Sequence, residues 1–372
     1  MKVIFAAGGT GGHINPALAM ADKLKEAYPD TRILFVGSPD GLEAKLVTKA
    51  GYEFSPVKMA GIQRKLTPGN IVHNFKAVYY YISAGGQVKK IFRDFCPDLV
   101  IGTGGYVTGT VLKTAIKCKI KTAVHESNSL PGVSVKMISE KVDLVMLGSE
   151  DAKKHLGKMK KCVVTGNPMR NNIPIESKKA ARERLGLPDC LTILSAGGSQ
   201  GAMRINEAVA ELLCYEQEKG NINHIHGYGK HGKNTFMESI KEKGVDEKNP
   251  HFILKEYIDN MYTCMCAADL IITRAGAMTL TEIMAIGRAS VLVPYPYAAE
   301  NHQYYNALTL QNADAGKIIN DKELTGEKLV AIVKELNDNR DELLRMSENA
   351  AKLGVKNASE LCLCEITMLM GL

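Results

Sequence analysis

Tryptophan is absent from the 372 residues, and aromatic side chains together make up 6%. Aromatic anchoring at a lipid surface would therefore fall to Tyr and Phe. No apolar run approaches the ~20 residues that a membrane-spanning helix needs, so any membrane contact is expected to be peripheral. The opening MKVIFAAGGTGGH has one Lys and a short apolar run entering a glycine-rich loop, and it is not expected to be a secretion signal. The nine cysteines form no C-x-x-C framework and are odd in number, which points to free thiols in a reducing cytoplasm. The formal net charge is +7, from 47 basic and 40 acidic residues. No zinc-finger spacing, RNA-binding aromatic motif or basic tail accompanies that mild excess. Nucleotide phosphates or anionic lipid suit it, and nucleic acid is not expected as a partner.

Short runs of branched aliphatic residues recur, each followed by a Gly or polar turn and a longer segment of helical period. The first series is Lys2–Ala7, Arg32–Gly37, Asp98–Thr103, Thr122–Glu126, Leu144–Ser149 and Cys162–Gly166. After a helical stretch at Ser177–Leu185, a second series follows: Leu191–Ala196, Asn223–Gly227, Phe252–Tyr257, Asp269–Thr273, Ser290–Pro294 and Gly316–Asn320. The runs are apolar on both faces, as strands of a helix-covered parallel sheet must be. The length fits two domains, and the series open alike, with FAAGGTGGH and LSAGGSQGA. The expected fold is α/β, two doubly wound Rossmann-like domains facing an interdomain cleft, with the boundary near Gly166–Ser177. The domains are expected over residues 1–168 and 169–354. A C-terminal helix over about 355–372 is expected to pack back on the first.

Gly8-Gly9-Thr10-Gly11-Gly12-His13 follows the first strand and precedes a helical pattern over Pro16–Glu26. Glycines let the backbone approach an anion, and a helix amino terminus adds free N–H groups and the positive end of its dipole. The loop is not G-x-G-x-x-G, and no Walker lysine follows. His13 ends it and is a candidate general base. A second loop, Gly102 to Gly109, contains Gly104, Gly105 and Tyr106. His125, Glu126, Ser127 and Asn128 then close another strand. His125 and Glu126 lack the spaced partners that a metal site needs, so no metal is expected. In the second half, Gly197-Gly198-Ser199-Gln200-Gly201-Ala202 repeats the phosphate-loop pattern. Arg274-Ala275-Gly276-Ala277-Met278-Thr279 runs into a helix bearing Glu282, a carboxylate suited to ribose hydroxyls. The stretch Ala299 to Asn306, with His302 and Gln303, offers amides for sugar hydroxyls.

Five of these motifs, GGTGGH, GTGGYVTG, GNPMR, GGSQGA and RAGAMTLTE, stand in one order. Together they resemble the bacterial UDP-N-acetylglucosamine transferases of peptidoglycan synthesis, the MurG family, from the first strand to about Gly316. One departure is Ser127, where the family pattern has Gln. The resemblance implies a GT-B fold and a donor, UDP-N-acetylglucosamine, bound mainly by the second domain. By the same resemblance, Ile258 receives uracil through its backbone, Glu282 binds the ribose, and Ser199, beside Gln200 and Gly201, takes the diphosphate with the Arg274–Thr279 turn. Thr10, Gly11, Gly12, Asn128, Arg170 and Gln303, with His302 beside it, complete the donor contacts. The acceptor, an undecaprenyl-diphosphate-linked N-acetylmuramyl pentapeptide, is implied near the first domain's loops, including Gly104, Gly105 and Tyr106.

The implied reaction is one inverting displacement needing no cofactor. His13 is the first choice of base, Glu126 the competitor and His125 the third. Ile71, Phe75, Val78, Tyr79 and Ile82 share one helical face, flanked by Lys58, Arg64, Lys65, Lys89, Lys90 and Arg93. With a lipid-linked acceptor, that face is expected to rest on anionic lipid at the cytoplasmic side of the cell membrane. A transferase acting on diacylglycerol and a non-catalytic nucleotide-sugar sensor remain the alternatives.

Overall fold

A computed structural model describes residues 1–58, 83–170 and 176–372. The stripe expected over Ile71–Ile82, with Arg64 and Lys65, lies outside the described residues. The chain divides into two compact units, Met1–Asn172 with Asn357–Leu372, and Ile173–Lys356.

In the first unit the strands are β1 (Lys2–Ala6), β2 (Arg32–Gly37), β3 (Glu53–Pro56), β4 (Leu99–Gly102), β5 (Lys121–Glu126), β6 (Leu144–Leu147) and β7 (Cys162–Val164). They form one sheet in the order β3-β2-β1-β4-β5-β6-β7, and every pairing is parallel. Two-residue alternation decides which core each side chain joins. Ile4 and Ala6 enter the cluster on one face, and Val3 and Phe5 the cluster on the other. β3 is absent from the sequence expectation because Glu53-Phe54-Ser55-Pro56 has one apolar residue and ends in Pro. Such a segment survives as an edge strand, where a missing donor costs nothing.

The helices of this unit that bear on the site are α1 (Gly11–Ala27), α2 (Leu42–Lys49), α4 (Gly105–Lys117) and α5 (Val133–Ile138), with α3 over 83–95. α1 begins at Gly11 rather than Pro16. Pro16 sits inside it, and a proline cannot donate to the carbonyl four residues earlier, here Gly12. That end of the helix is instead met by hydroxyls from the neighbouring strand ends. Ser127 Oγ lies 3.5 Å from Gly12 O, and Thr103 Oγ1 donates to His13 O at 2.7 Å.

The second unit repeats the plan. Its strands are β8 (Leu191–Ala196), β9 (Ile222–Gly227), β10 (Phe252–Lys255), β11 (Leu270–Thr273), β12 (Ala289–Leu292) and β13 (Gly316–Ile318), in the order β10-β9-β8-β11-β12-β13. The connecting helices include α6 (Lys178–Leu185), α7 (Met203–Lys219), α10 (Ala277–Ile286), α11 (His302–Asn312), α12 (Gly326–Asp338) and α13 (Arg340–Leu353). In both sheets the strand order reverses beside the first strand. β1 with β4 and β8 with β11 are therefore the two switch points, where loops from adjacent strands diverge and leave a crevice.

The last helix, α14 (Ala358–Met370), belongs to the first unit. It buries Cys362 and Ile366 in the core shared with α1, and Lys23 pairs with Glu360 at 3.1 Å. Lys121 Nζ donates to Leu369 O at 2.7 Å. Ile366→Ala opens a cavity in that core and is expected to cost about 2–5 kcal/mol. Far-UV circular dichroism during denaturant unfolding checks this in a chain without Trp. An unchanged midpoint would show that α14 adds nothing to the unit.

Candidate active site

At the first switch point the backbone loops almost touch. A Cβ on Gly105 would lie 2.3 Å from Gly8 O, and one on Gly104 would lie 2.5 Å from His13 Cδ2 and 2.9 Å from its Nε2. Both glycines have positive φ, +112 for Gly104 and +81 for Gly105, so sterics and backbone conformation exclude side chains together. His13 is half-buried, and its Nδ1 lies 3.0 Å from Gly8 O. A carbonyl only accepts, so Nδ1 carries a proton, and in the neutral ring the lone pair is on Nε2. Thr10 precedes α1 in extended conformation without a side-chain cap, which leaves the helix amino terminus open at Thr10, Gly11 and Gly12. Tyr106 is 38% exposed in the first turn of α4.

One anchor of this loop is missing from the sequence reading. Glu43, 1% exposed, accepts Gly9 N–H at 3.2 Å and Ser38 N–H at 2.9 Å, tying the loop after β1 to the loop after β2. The local signal is an acid in the first turn of α2 behind Gly41, a common pattern with no mark of that second partner.

Two candidates for the base are placed otherwise than the sequence reading supposed. Glu126 is 3% exposed. Its Oε1 accepts the Asn128 backbone and side-chain N–H groups, both at 2.9 Å, and its Oε2 accepts Gly132 N–H at 2.9 Å. A carboxylate holding three donors is the clasp of the 126–132 loop and is poorly placed to take a substrate proton. His125 is fully buried, with Nε2 3.1 Å from Gly166 O, and burial lowers its imidazole to about 4. Without solvent access it is a brace for Gly166 and is poorly placed to take a substrate proton. Arg170, exposed, donates from Nε to Asp22 Oδ2 at 2.7 Å, and Asp22 also accepts from Tyr52 at 2.6 Å.

In the second unit the close crossing lies on the other side of the first strand, between the loops after β8 and β9. Ser199 and Gln200 are exposed at the apex of a loop with positive φ at Gly198 and Gly201. A Cβ on Gly201 would lie 2.4 Å from Tyr228 O, and one on Gly229 would lie 2.1 Å from Gly201 N. The turn Tyr228–Gly232 after β9 is thus a partner of the phosphate-type loop that sequence reading overlooked. It is bound by His231 N–H to Gln200 O at 3.1 Å and Lys230 N–H to Ser199 O at 3.3 Å.

Beside it, α10 starts at Ala277 behind Gly276 with no side-chain cap, which leaves its first turn, Ala277, Met278 and Thr279, open to an anion. Side chains do cap α6, α12 and α13, none of which follows a glycine-rich loop. Arg274 does not reach outward from this turn. It pairs with Asp321 at 2.6 Å, donates to Val293 O at 3.1 Å, and stacks over the Tyr295 ring at 5.6 Å. Its charge therefore braces the loop. Asn306 Nδ2 braces the same turn from α11, donating to Ala275 O at 3.2 Å.

Glu282 lies one turn further along α10, accepting from Tyr262 Oη at 3.2 Å, and burial raises its carboxyl above the usual range. Ile258 is 6% exposed with its side chain against Gly227. Gln303 Oε1 accepts Tyr295 N–H at 2.9 Å, which leaves its amide N–H groups to donate. His302 Nδ1 donates to Ala299 O at 2.8 Å. Before them, Glu300 (φ 52) and Asn301 (φ 58) are both left-handed, a costly pair for residues other than Gly.

Residues 3–147 match the N-terminal domain of glycosyltransferase family 28, and residues 192–362 match its C-terminal domain. The chain belongs to glycosyltransferase family 28. A relative from Acetivibrio thermocellus is 41% identical over 361 residues, 97% of this chain and 96% of that protein. One from Desulforamulus reducens is 39% identical, covering 95% of each. Both bear the name UDP-N-acetylglucosamine--N-acetylmuramyl-(pentapeptide) pyrophosphoryl-undecaprenol N-acetylglucosamine transferase. Among solved structures, Acinetobacter baumannii MurG superposes with a TM-score of 0.80 at 27% identity over 99% of both chains. The calicheamicin glycosyltransferase CalG4 superposes at 0.71 with 15% identity and shows likeness of fold alone. Family 28 membership accounts for the two α/β domains.

Because His125 is neutral when folded and titrates near 6.5 when unfolded, its contribution to stability is fully present above about pH 6.5 and is lost toward pH 4. The loss approaches about 3 kcal/mol at the acid end. Denaturant midpoints between pH 7 and 4 should fall more steeply for wild type than for His125→Asn. Parallel slopes would remove His125 from the acid sensitivity.

Proposed function

We infer that this family 28 enzyme transfers N-acetylglucosamine from UDP-N-acetylglucosamine to the 4-hydroxyl of undecaprenyl-diphosphate-linked N-acetylmuramyl pentapeptide. The observation that carries the reading is the pair of open glycine loops at like switch points, joined to near-full-length similarity with relatives of that name. One loop holds a histidine whose second ring nitrogen has no partner among the described residues, and the other stands beside the uncapped start of α10, which bears the half-buried Glu282.

In the chemistry proposed, the second unit takes the donor. The Ile258 backbone meets uracil, Glu282 accepts the ribose hydroxyls, and Ser199, Gln200 and Gly201 with the amino terminus of α10 hold the diphosphate. Gln303 donates to the sugar. The first unit takes the acceptor near Gly104, Gly105 and Tyr106. His13 Nε2 accepts the 4-hydroxyl proton as that oxygen bonds to the anomeric carbon. The bond from that carbon to the UDP oxygen breaks on the opposite face, and the configuration inverts. Charge gathering on the leaving diphosphate meets helix N–H groups already fixed in place. Raised Glu282 suits this role, since a carboxyl whose burial is relieved by hydroxyl donors gains from ligand binding.

A lipid-linked acceptor brings the enzyme to the inner membrane face as a peripheral protein. Among the described residues no helix is long and apolar enough to cross a membrane. Exposed Lys58, Lys89, Lys90 and Arg93 flank the segment proposed to rest on anionic lipid.

His13→Ala is expected to lower kcat by about 10²–10⁴ with little change in donor KM. Glu282→Ala should chiefly raise donor KM. Steady-state assays with labelled UDP-N-acetylglucosamine and the lipid-linked muramyl acceptor decide both. Undiminished turnover in His13→Ala would take this residue out of the mechanism, and glycosylation of diacylglycerol alone would overturn the acceptor.

A further inference from the structure

Beneath the second unit's glycine loops lies a row of polar side chains that the proposed chemistry does not use. Ser195 and His226 are the penultimate residues of β8 and β9 and face each other in register. Ser195 Oγ lies 2.6 Å from His226 Nδ1 and 2.6 Å from His224 Nε2. On its other side, His224 Nδ1 lies 2.7 Å from Glu216 Oε2, at the far end of α7. All four are buried, at 0% exposure for Ser195, His224 and His226 and 1% for Glu216.

Burial sets the protonation of the row. It raises the Glu216 carboxyl well above its usual range and lowers His224 to about 3. The contacts run without a break from Glu216 through His224 and Ser195 to His226, each at 2.6–2.7 Å. His226 Nε2 has no partner among the described residues, and the ring lies beside that of Phe236, 4.6 Å between centroids. Such a row is costly to break, because each loss strands a buried polar group.

Its position matters more than its cost. The three elements it joins, β8, β9 and α7, are those from which the two crossing loops spring. Those loops meet glycine on glycine at Gly201 and Gly229, with no side chain between to absorb a shift. Asn206 Nδ2 adds a bond from α7 to Tyr228 O at 2.9 Å. A slip of β9 against β8 therefore passes directly to Ser199 and Gln200, whose carbonyls accept from the second loop.

We propose that Glu216, His224, Ser195 and His226 form a positioning row that holds the Gly197–Gly201 loop in the geometry that receives the donor diphosphate. The proposal rests on the nucleotide-sugar reading of that loop. These residues touch no substrate, and their effect is on donor affinity.

The test uses the full-length protein with UDP binding by calorimetry, alongside steady-state kinetics. Ser195→Ala and Glu216→Leu should each raise UDP Kd and donor KM about tenfold, leaving acceptor KM and kcat within about twofold. Glu216→Gln, whose amide can keep a hydrogen bond to His224 Nδ1 in either direction, should recover most of the loss. If Glu216→Leu does not fold, Ser195→Ala, which deletes one hydroxyl, carries the test. Folded variants with lowered Tm and unchanged UDP affinity would overturn the positioning role alone. A wild-type protein that binds no UDP would overturn both this and the nucleotide-sugar reading.

Discussion

The architecture of both half-sites depends on backbone approaching backbone where a side chain would otherwise stand. Gly105 abuts the Gly8 carbonyl in the first unit, and Gly201 abuts the Tyr228 carbonyl in the second, each at a distance that a single Cβ would destroy. Loops leaving adjacent parallel strands must cross just above the sheet, and strands lie only about 4.8 Å apart. Glycine is what lets them do so. In the first unit the consequence is chemical, because the Gly8 carbonyl that Gly105 abuts also fixes the tautomer of His13. In the second it is geometric, because the crossing sets where Ser199 stands.

Around these crossings the molecule commits its buried polar groups to bracing. Glu43 ties the first glycine loop to its neighbour, Glu126 clasps the 126–132 loop, and Arg274 with Asp321 supports the turn before α10. A charged group that satisfies several backbone partners is a strong local anchor, since removing it strands all of them. Among the described residues, the groups beside these loops that keep spare capacity include Nε2 of His13, the carboxyl of Glu282, the amide of Gln303 and the uncapped amino termini of α1 and α10. That division separates the scaffold from the chemistry more sharply than residue type does.

Much of the fold was legible in the chain because its signals are local. Doubly apolar runs of five or six residues mark buried parallel strands, and a glycine cluster after such a run marks a strand-to-helix turn. β8 was expected at Leu191–Ala196 and is found there. β3 escaped because an edge strand needs little hydrophobicity, and the start of α1 was placed five residues late because Pro16 reads as a helix beginning. The carboxylate of Glu126 illustrates the limit for the site. Its neighbours His125 and Asn128 suggested chemistry, yet its role followed from where the 126–132 loop turned back onto it.

By itself, then, the sequence determined two α/β units with glycine loops and the list of polar residues near them, because periodicity and glycine content act within a few residues of the chain. Only tertiary structure decided which of those residues are free. His13 O meets Thr103 across 90 residues, Arg182 Nη2 reaches Asp269 across 87, and Ser195 joins His226 across 31. Whether a histidine or a carboxylate keeps a lone pair for chemistry depends on such distant partners and on its burial, and neither is written in its neighbours.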